Sequence, residues 1–278
     1  MPPVIVSGGF DDLRSAHVRF LQEASKRGPV RVLLWPDEAV VAETGHAPKF
    51  SFAERKYFLE AVRFVQEVHV ARARLDPDSL PTALALRATT WAVTDAFGHE
   101  SEHPRAAKRA WCAAHRLELL ELSAADLSGF PLDPEPALAA SPLGRAVATG
   151  SFDWLHTGHV RFFEEAAACG ELTVVVGHDA NIRLLKGEGH PRFSQEERRY
   201  MVAAVRYVAH TLISTGSGWL DAEPELRRLA PRMYIVNEDG DKPEKRGYCA
   251  ERGIQYVVLK RAPREGLPRR TSTDLRGF

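Results

Sequence analysis

Only three cysteines, Cys112, Cys169 and Cys249, occur in 278 residues. They are too few for a disulfide framework and too scattered for a CxxC metal site, so they read as small apolar core residues of a protein kept in a reducing compartment. Excess charge is missing as well. The 37 Lys plus Arg balance 37 Asp plus Glu, which leaves no electrostatic footprint for nucleic acid or an anionic membrane. Any anionic ligand must therefore be met by local groups. No hydrophobic run approaches the length of a membrane span, and the opening "MPPVIVSGGF" has neither the basic nor the apolar part of a secretory leader. The expectation is a cytoplasmic protein with no membrane span and no nucleic-acid partner.

What the chain does contain is an internal repeat. "GGFDDLRSAHVRF" from Gly8 aligns with "GSFDWLHTGHVRF" from Gly150, so that His17 matches His159. "FSFAERKYFLEAVRFV" from Phe50 aligns with "FSQEERRYMVAAVRYV" from Phe193, and "WCAAHRLELLEL" from Trp111 with "YCAERGIQYVVL" from Tyr248. The order is kept and the spacing drifts by only a few residues, as changes of loop length would produce. Between the copies lies a stretch with Pro131, Pro134, Pro136 and Pro142, residues that lack an amide donor and discourage regular structure. The reading is one domain over 1–128, a Pro-rich linker over 129–143 and a second domain over 144–278.

Within the second copy, "AVATG", "LTVVVGHD", "HTLIS", "RMYIVN" and "IQYVVLKR" are strand candidates. "WLHTGHVRFFEEAAACG" reads as a helix stopped by Gly170, "SQEERRYMVAAVRYV" as a helix capped by Ser194 with Glu197 three residues on, and "KPEKRGYCAERG" as a helix ended by Gly253. Continuous apolar strands alternating with amphipathic helices predict an α/β fold, with two tandem Rossmann-like domains that are each a doubly wound parallel sheet. Ligands of such sheets bind beyond the carboxyl ends of the strands.

At that end the second copy reads "TGSFDWLHTGH". Amides at a helix start are unpaired and the macrodipole is positive there, so a phosphate is the natural guest. Gly150 and Gly158 let the backbone come close to it. His156 and His159, three apart on one helix face, can grip the same polyphosphate, their N–H groups aimed at oxygens that gain charge in a transition state. Lys186, read as lying on a glycine-rich loop in "RLLKGEGHPRF", supplies a cation. Thr271, Ser272 and Thr273 in "PRRTSTDLRGF" precede a candidate helix start and add hydroxyl donors with arginines nearby. Asp239 and Asp241 in "NEDGDKPEK" read as a solvated turn outside the site.

Taken in order, "GSFDWLHTGH", "LLKGEGHPRFSQEERRYMVAAVRYV" and "RTSTDLR" resemble the HxGH nucleotidyltransferases, specifically the cytidylyltransferase-like group, over essentially all of residues 145–278. The resemblance implies attack of a substrate phosphate on the α-phosphorus of CTP or ATP with release of pyrophosphate. By motif, His156, His159 and Lys186 would be catalytic. Gly150, Ser151, Phe152, Gly158, Arg198, Thr271, Ser272 and Thr273 would bind the nucleotide, and Mg2+ would ride on the triphosphate without a protein cage of its own. A homodimer is a further implication. Tandem copies also resemble the ethanolamine-phosphate cytidylyltransferase family, although that family keeps its working site in the first copy. "RLLKGEGHPRFSQEER" and "NEDGDKPE" look equally like the adenylyl-transferring domain of heptose-phosphate enzymes.

In the first copy Arg14 stands for His156, Ala16 for Gly158 and Glu43 for Lys186, and nothing after Leu122 matches the TSTD segment. Packing positions such as Phe10, Leu13, Val18, Phe20, Tyr57 and Val65 keep counterparts. The first copy therefore reads as a scaffold without the chemistry. The leading expectation is CMP transfer from CTP to a small phosphomonoester. The alternatives are adenylyl transfer from ATP to a sugar phosphate, or a non-catalytic nucleotide-binding scaffold.

Overall fold

The computed structural model describes residues 1–71, 76–85, 87–97, 102–132, 144–271 and 275, with the side chains of 102–104 left aside. The chain divides into two compact units, Met1–Gly129 and Phe130–Phe278. Residues 133–143 of the expected linker lie outside the described residues.

In the first unit the elements run β1 (Val4–Gly8), α1 (Ser15–Ser25), β2 (Val30–Leu34), α2 (Asp37–Thr44), α3 (Phe52–Ala61), β3 (Val65–Val70), α4 (Thr82–Ala85), β4 (Thr90–Thr94), α5 (Glu102–His115) and β5 (Glu118–Leu122). Its sheet is parallel in the order β3-β2-β1-β4-β5. Strands such as "VIVSG" and "VRVLL" are apolar almost throughout because helices cover both faces. Ile5, Leu33, Trp91 and Cys112 pack together in the core below.

In the second unit the elements run β6 (Arg145–Gly150), α6 (Thr157–Ala167), β7 (Glu171–Val176), α7 (Asp179–Lys186), α8 (Gln195–Ala203), β8 (His210–Ile213), a 3-10 turn (Gly218–Leu220), α9 (Glu223–Leu229), β9 (Met233–Asn237), a second 3-10 turn (Glu238–Gly240), α10 (Pro243–Glu251) and β10 (Gln255–Leu259). The order β10-β9-β6-β7-β8 is that of the first unit read from the other edge. In both units the first strand is central and the chain leaves it in one direction, then the other. The crevice at that reversal is where such sheets bind ligands. Both units are thus Rossmann-like α/β domains.

Several expectations shift in detail. The first helix of the second unit starts at Thr157 rather than at Trp154, because His156 has extended backbone and caps it. Lys186 is the last residue of α7, not a loop residue, and Gly187 at φ 84° turns the chain out of that helix. Ser194 caps α8 as expected, accepting from the Glu197 amide at 3.2 Å. All three cysteines are free, with Cys112 and Cys249 buried and burial pushing each of those two thiols up to about 11.

Candidate active site at the mouth of the second sheet

The central strand β6 runs into Gly150-Ser151-Phe152, where Phe152 takes a left-handed backbone at φ 49° and folds its ring back over the turn. A Cβ on Gly150 would stand 2.9 Å from that ring, so only glycine fits. The ring meets His159 edge-on, with centroids 5.4 Å apart, and Phe163 at 5.1 Å. Phe152 thus builds the wall that holds the second imidazole.

His156 is buried, 1% exposed. Its Nδ1 accepts the Gly158 amide at 3.1 Å, which leaves the hydrogen of the neutral ring on Nε2. That Nε2 is buried and has no hydrogen-bond partner among the described residues, and the same holds for Nδ1 of His159. The two rings lie 4.0 Å apart by centroid. Gly158 has a role its spacing did not reveal: a Cβ there would come within 2.8 Å of the His156 ring. The glycine of H-x-G-H is the seat of the first histidine.

Burial, with Arg261 and Arg270 nearby, pushes His156 down to about 3. Burial first, then His156, Arg261 and Lys186, hold His159 well below the usual histidine range. At neutral pH both rings are therefore uncharged hydrogen-bonding groups, and Lys186 and the arginines supply the positive charge. Lys186 reaches back from the end of α7 to donate to Ser151 Oγ at 2.8 Å, which brings those two sequence-selected residues together.

Arg198 is placed differently. It is 1% exposed, and its guanidinium donates to the carbonyls of Phe193, Ser151 and Gly177 and to Asp179 Oδ1. It ties the loops after β6 and β7 to α8 and shapes the site from behind. Thr271 is described; Ser272 and Thr273 lie outside the described residues.

Sequence reasoning missed three participants. Asp153 accepts the amides of Arg192 and Phe193 at 2.8 and 3.1 Å and so anchors the loop that follows Lys186. Asp239 pairs with Arg261 at 2.6 Å, and Arg261 also donates to the Arg270 carbonyl at 3.3 Å. Arg261 belongs to the basic segment "KRAPREGLPRR", whose density of arginines was the available signal. Between that segment and Thr157, Gly158 and Arg161 of α6 opens a shallow cleft. Lys260, Arg261, Arg264, Arg269 and Arg270 line one side, against a single acid, Glu165. Such a cleft at a helix start suits a polyanion. No group of three or more metal-ligating side chains occurs among the described residues, and no helix among them is long and apolar enough to cross a membrane.

An open parallel sheet whose central strand ends at two neutral imidazoles, a helix start and a cluster of cations is the architecture of a phosphate-handling nucleotide enzyme. The cytidylyltransferase-like family model matches residues 147–239. The FAD synthase of Methanospirillum hungatei is 47% identical over 134 residues, 47% of this chain and 82% of the relative. The FAD synthase of Methanocella arvoryzae is 30% identical over 135 residues, 48% of this chain and 92% of the relative. The bifunctional protein HldE of Geobacter sulfurreducens is 42% identical over 65 residues, 23% of this chain and 13% of the relative. The chain belongs to the cytidylyltransferase-like nucleotidyltransferases, and the segments these FAD synthases share with it amount to about half its length.

These relatives overturn the expectation of CMP transfer from CTP to a small phosphomonoester, because the matches that cover most of the relative are FAD synthases. The physical reason is plain. The expectation rested on His156, His159, Lys186 and the hydroxyl-rich segment read as phosphate-binding groups, and since CTP and ATP share their phosphates, such a reading carries no information about the base.

Proposed function

We propose that the second unit transfers the adenylyl group of ATP to FMN. A phosphate oxygen of FMN attacks the α-phosphorus of ATP, the new P–O bond forms as the bond to the bridging α–β oxygen breaks, and FAD and pyrophosphate leave. Similarity to FAD synthases at up to 47% identity supports this choice of base and acceptor. One observation carries the chemistry: the buried Nε2–H of His156, without a partner among the described residues, beside His159 at the start of α6. A donor held ready in a dry site stabilises charge as it develops, with little reorganisation.

In this reading His156 and His159 donate to the α- and β-phosphate oxygens, and Lys186 bridges the reacting phosphates. Thr271, Ser272 and Thr273 hold the outer phosphates, and Mg2+ arrives on the triphosphate. Gly150, Ser151 and Phe152 line the nucleotide, and Arg198 acts as a positioning residue. The first unit is a duplicate that keeps the fold without these groups.

The test supplies the full chain with ATP or CTP and with FMN or a sugar phosphate, following pyrophosphate release and FAD by chromatography. FAD from ATP plus FMN alone is the expected outcome. Turnover only with ATP and a heptose phosphate would replace the acceptor. No turnover with any pair would leave a binding protein and sink the proposal.

A further inference from the structure

Trp219 is 59% exposed, yet the turn that carries it is held from several sides. The buried Asn181 side chain grips Gly218 twice, donating to its carbonyl at 3.2 Å and accepting its amide at 2.7 Å. Gly218 itself is left-handed, at φ 78°, a conformation only glycine adopts without strain. One step upstream, the Gly216 amide donates to the Asp221 carbonyl at 2.8 Å, and Ser214 Oγ donates to Asp221 Oδ2 at 2.6 Å. An indole left in water gives up the burial that makes tryptophan useful in a core. Here it is given up on an immobilised turn just beyond the carboxyl end of β8, the edge at which these sheets receive ligands.

Two further observations point to a flat guest. The Lys242 ammonium sits over the indole, 4.8 Å from its centroid, so the aromatic face is paired with a cation. Asn181, which fixes the turn, stands on α7, the helix that also ends in Lys186. Five residues of helix separate them, roughly 7.5 Å along the axis. The turn that carries Trp219 and the ammonium of Lys186 are therefore both fixed to one short helix, through Asn181 and through its last residue.

We infer that Trp219, one face of whose indole is covered by Lys242, is through its other face the stacking platform for the tricyclic ring of the flavin acceptor. This rests on the adenylyl-transfer reading above and extends it by naming the residues that select an aromatic acceptor over a small phosphomonoester.

The experiment titrates FMN into the full chain and into Trp219→Ala and Trp219→Phe, reading the quenching of flavin fluorescence that stacking on an indole produces. Steady-state KM values for FMN and ATP are taken alongside. Trp219→Ala is expected to lose the quenching and to raise KM for FMN about tenfold while KM for ATP holds; Trp219→Phe recovers most of the affinity. Unchanged FMN binding in Trp219→Ala, or a rise in the KM for ATP instead, overturns the platform even where the parent makes FAD. Conversely, a parent that binds FMN through Trp219 but forms no FAD keeps the platform and removes the proposed reaction.

Discussion

Arg55 in the first unit and Arg198 in the second are the same clamp. Arg55 donates to the carbonyls of Phe50, Gly9 and Trp35 and to Asp37 Oδ1, and Arg198 to those of Phe193, Ser151 and Gly177 and to Asp179 Oδ1. Asp11 and Asp153 likewise each accept two consecutive amides, Lys49 with Phe50 and Arg192 with Phe193. Phe10 and Phe152 share the same left-handed backbone. A few residues away the likeness stops. Nδ1 of His17 accepts the Arg14 amide and its ring stacks on Phe97 at 4.2 Å, whereas Nδ1 of His159 has no partner among the described residues. The groups common to both units hold loops, and the second unit alone has the pair of imidazoles with buried, unpartnered nitrogens among the described residues. Residues that make this fold and residues that make this site are thus separable, even where they adjoin.

The sharpest way to break that contrast is to remove an imidazole from each unit. His156→Ala is expected to slow pyrophosphate release roughly a hundred- to thousandfold, while His17→Ala leaves it unchanged; equal losses would mean that the first unit takes part in the chemistry. The clamps should behave alike. Arg198→Ala and Arg55→Ala each leave carbonyls and a carboxylate without their cation, and urea unfolding should show each costing its own unit about 3 kcal/mol. A loss of turnover in Arg198→Ala with stability unchanged would make that residue part of the site instead of the scaffold. A third contrast concerns pH. His156 is held at about 3 in the folded chain against an ordinary value of 6.5, so the unfolded state binds the extra proton between those limits. Stability should rise with pH across that window, by up to about 1.4 kcal/mol per pH unit for this group, and be complete above 6.5. His17, held at about 4 by burial and by Arg14, contributes with the same sign over a narrower span. Between pH 5 and pH 7 His156→Gln and His17→Gln should therefore flatten the slope alike, and only below about pH 4 should His156→Gln flatten it more, which urea titrations on either side of that value will show.

Much of the architecture was legible because strand alternation and helix periodicity are local properties of the chain. "LTVVVGHD" and "RMYIVN" gave β7 and β9, and the recurrence of "FD…HVRF" announced a second unit with the same strand order. That His156 would lie against His159 follows from their spacing of three at a helix start, whereas Ser151 was selected through the family resemblance and Lys186 as a cation beside glycines, and the structure brings those two into contact. What escaped was tertiary. Nothing in "ERRY" says that Arg198 will be consumed by three carbonyls from elsewhere in the chain. Asp239 looked like a solvated turn because its partner, Arg261, lies in a different loop. Helix α7 was missed because it is only eight residues long and runs directly into "GEG", so that Lys186 was read with the glycines that follow it.

The contact between Gly158 and His156 fixes the order in which mutations could rebuild a site in the first unit. A histidine introduced at Arg14 would meet the methyl of Ala16 where its ring must lie, and so would gain nothing by itself. The change Ala16→Gly has to come first, and alone it offers only a more flexible helix start. Neither single step is rewarded, so the two units stand on opposite sides of a mutational ratchet whose pawl is one methyl group.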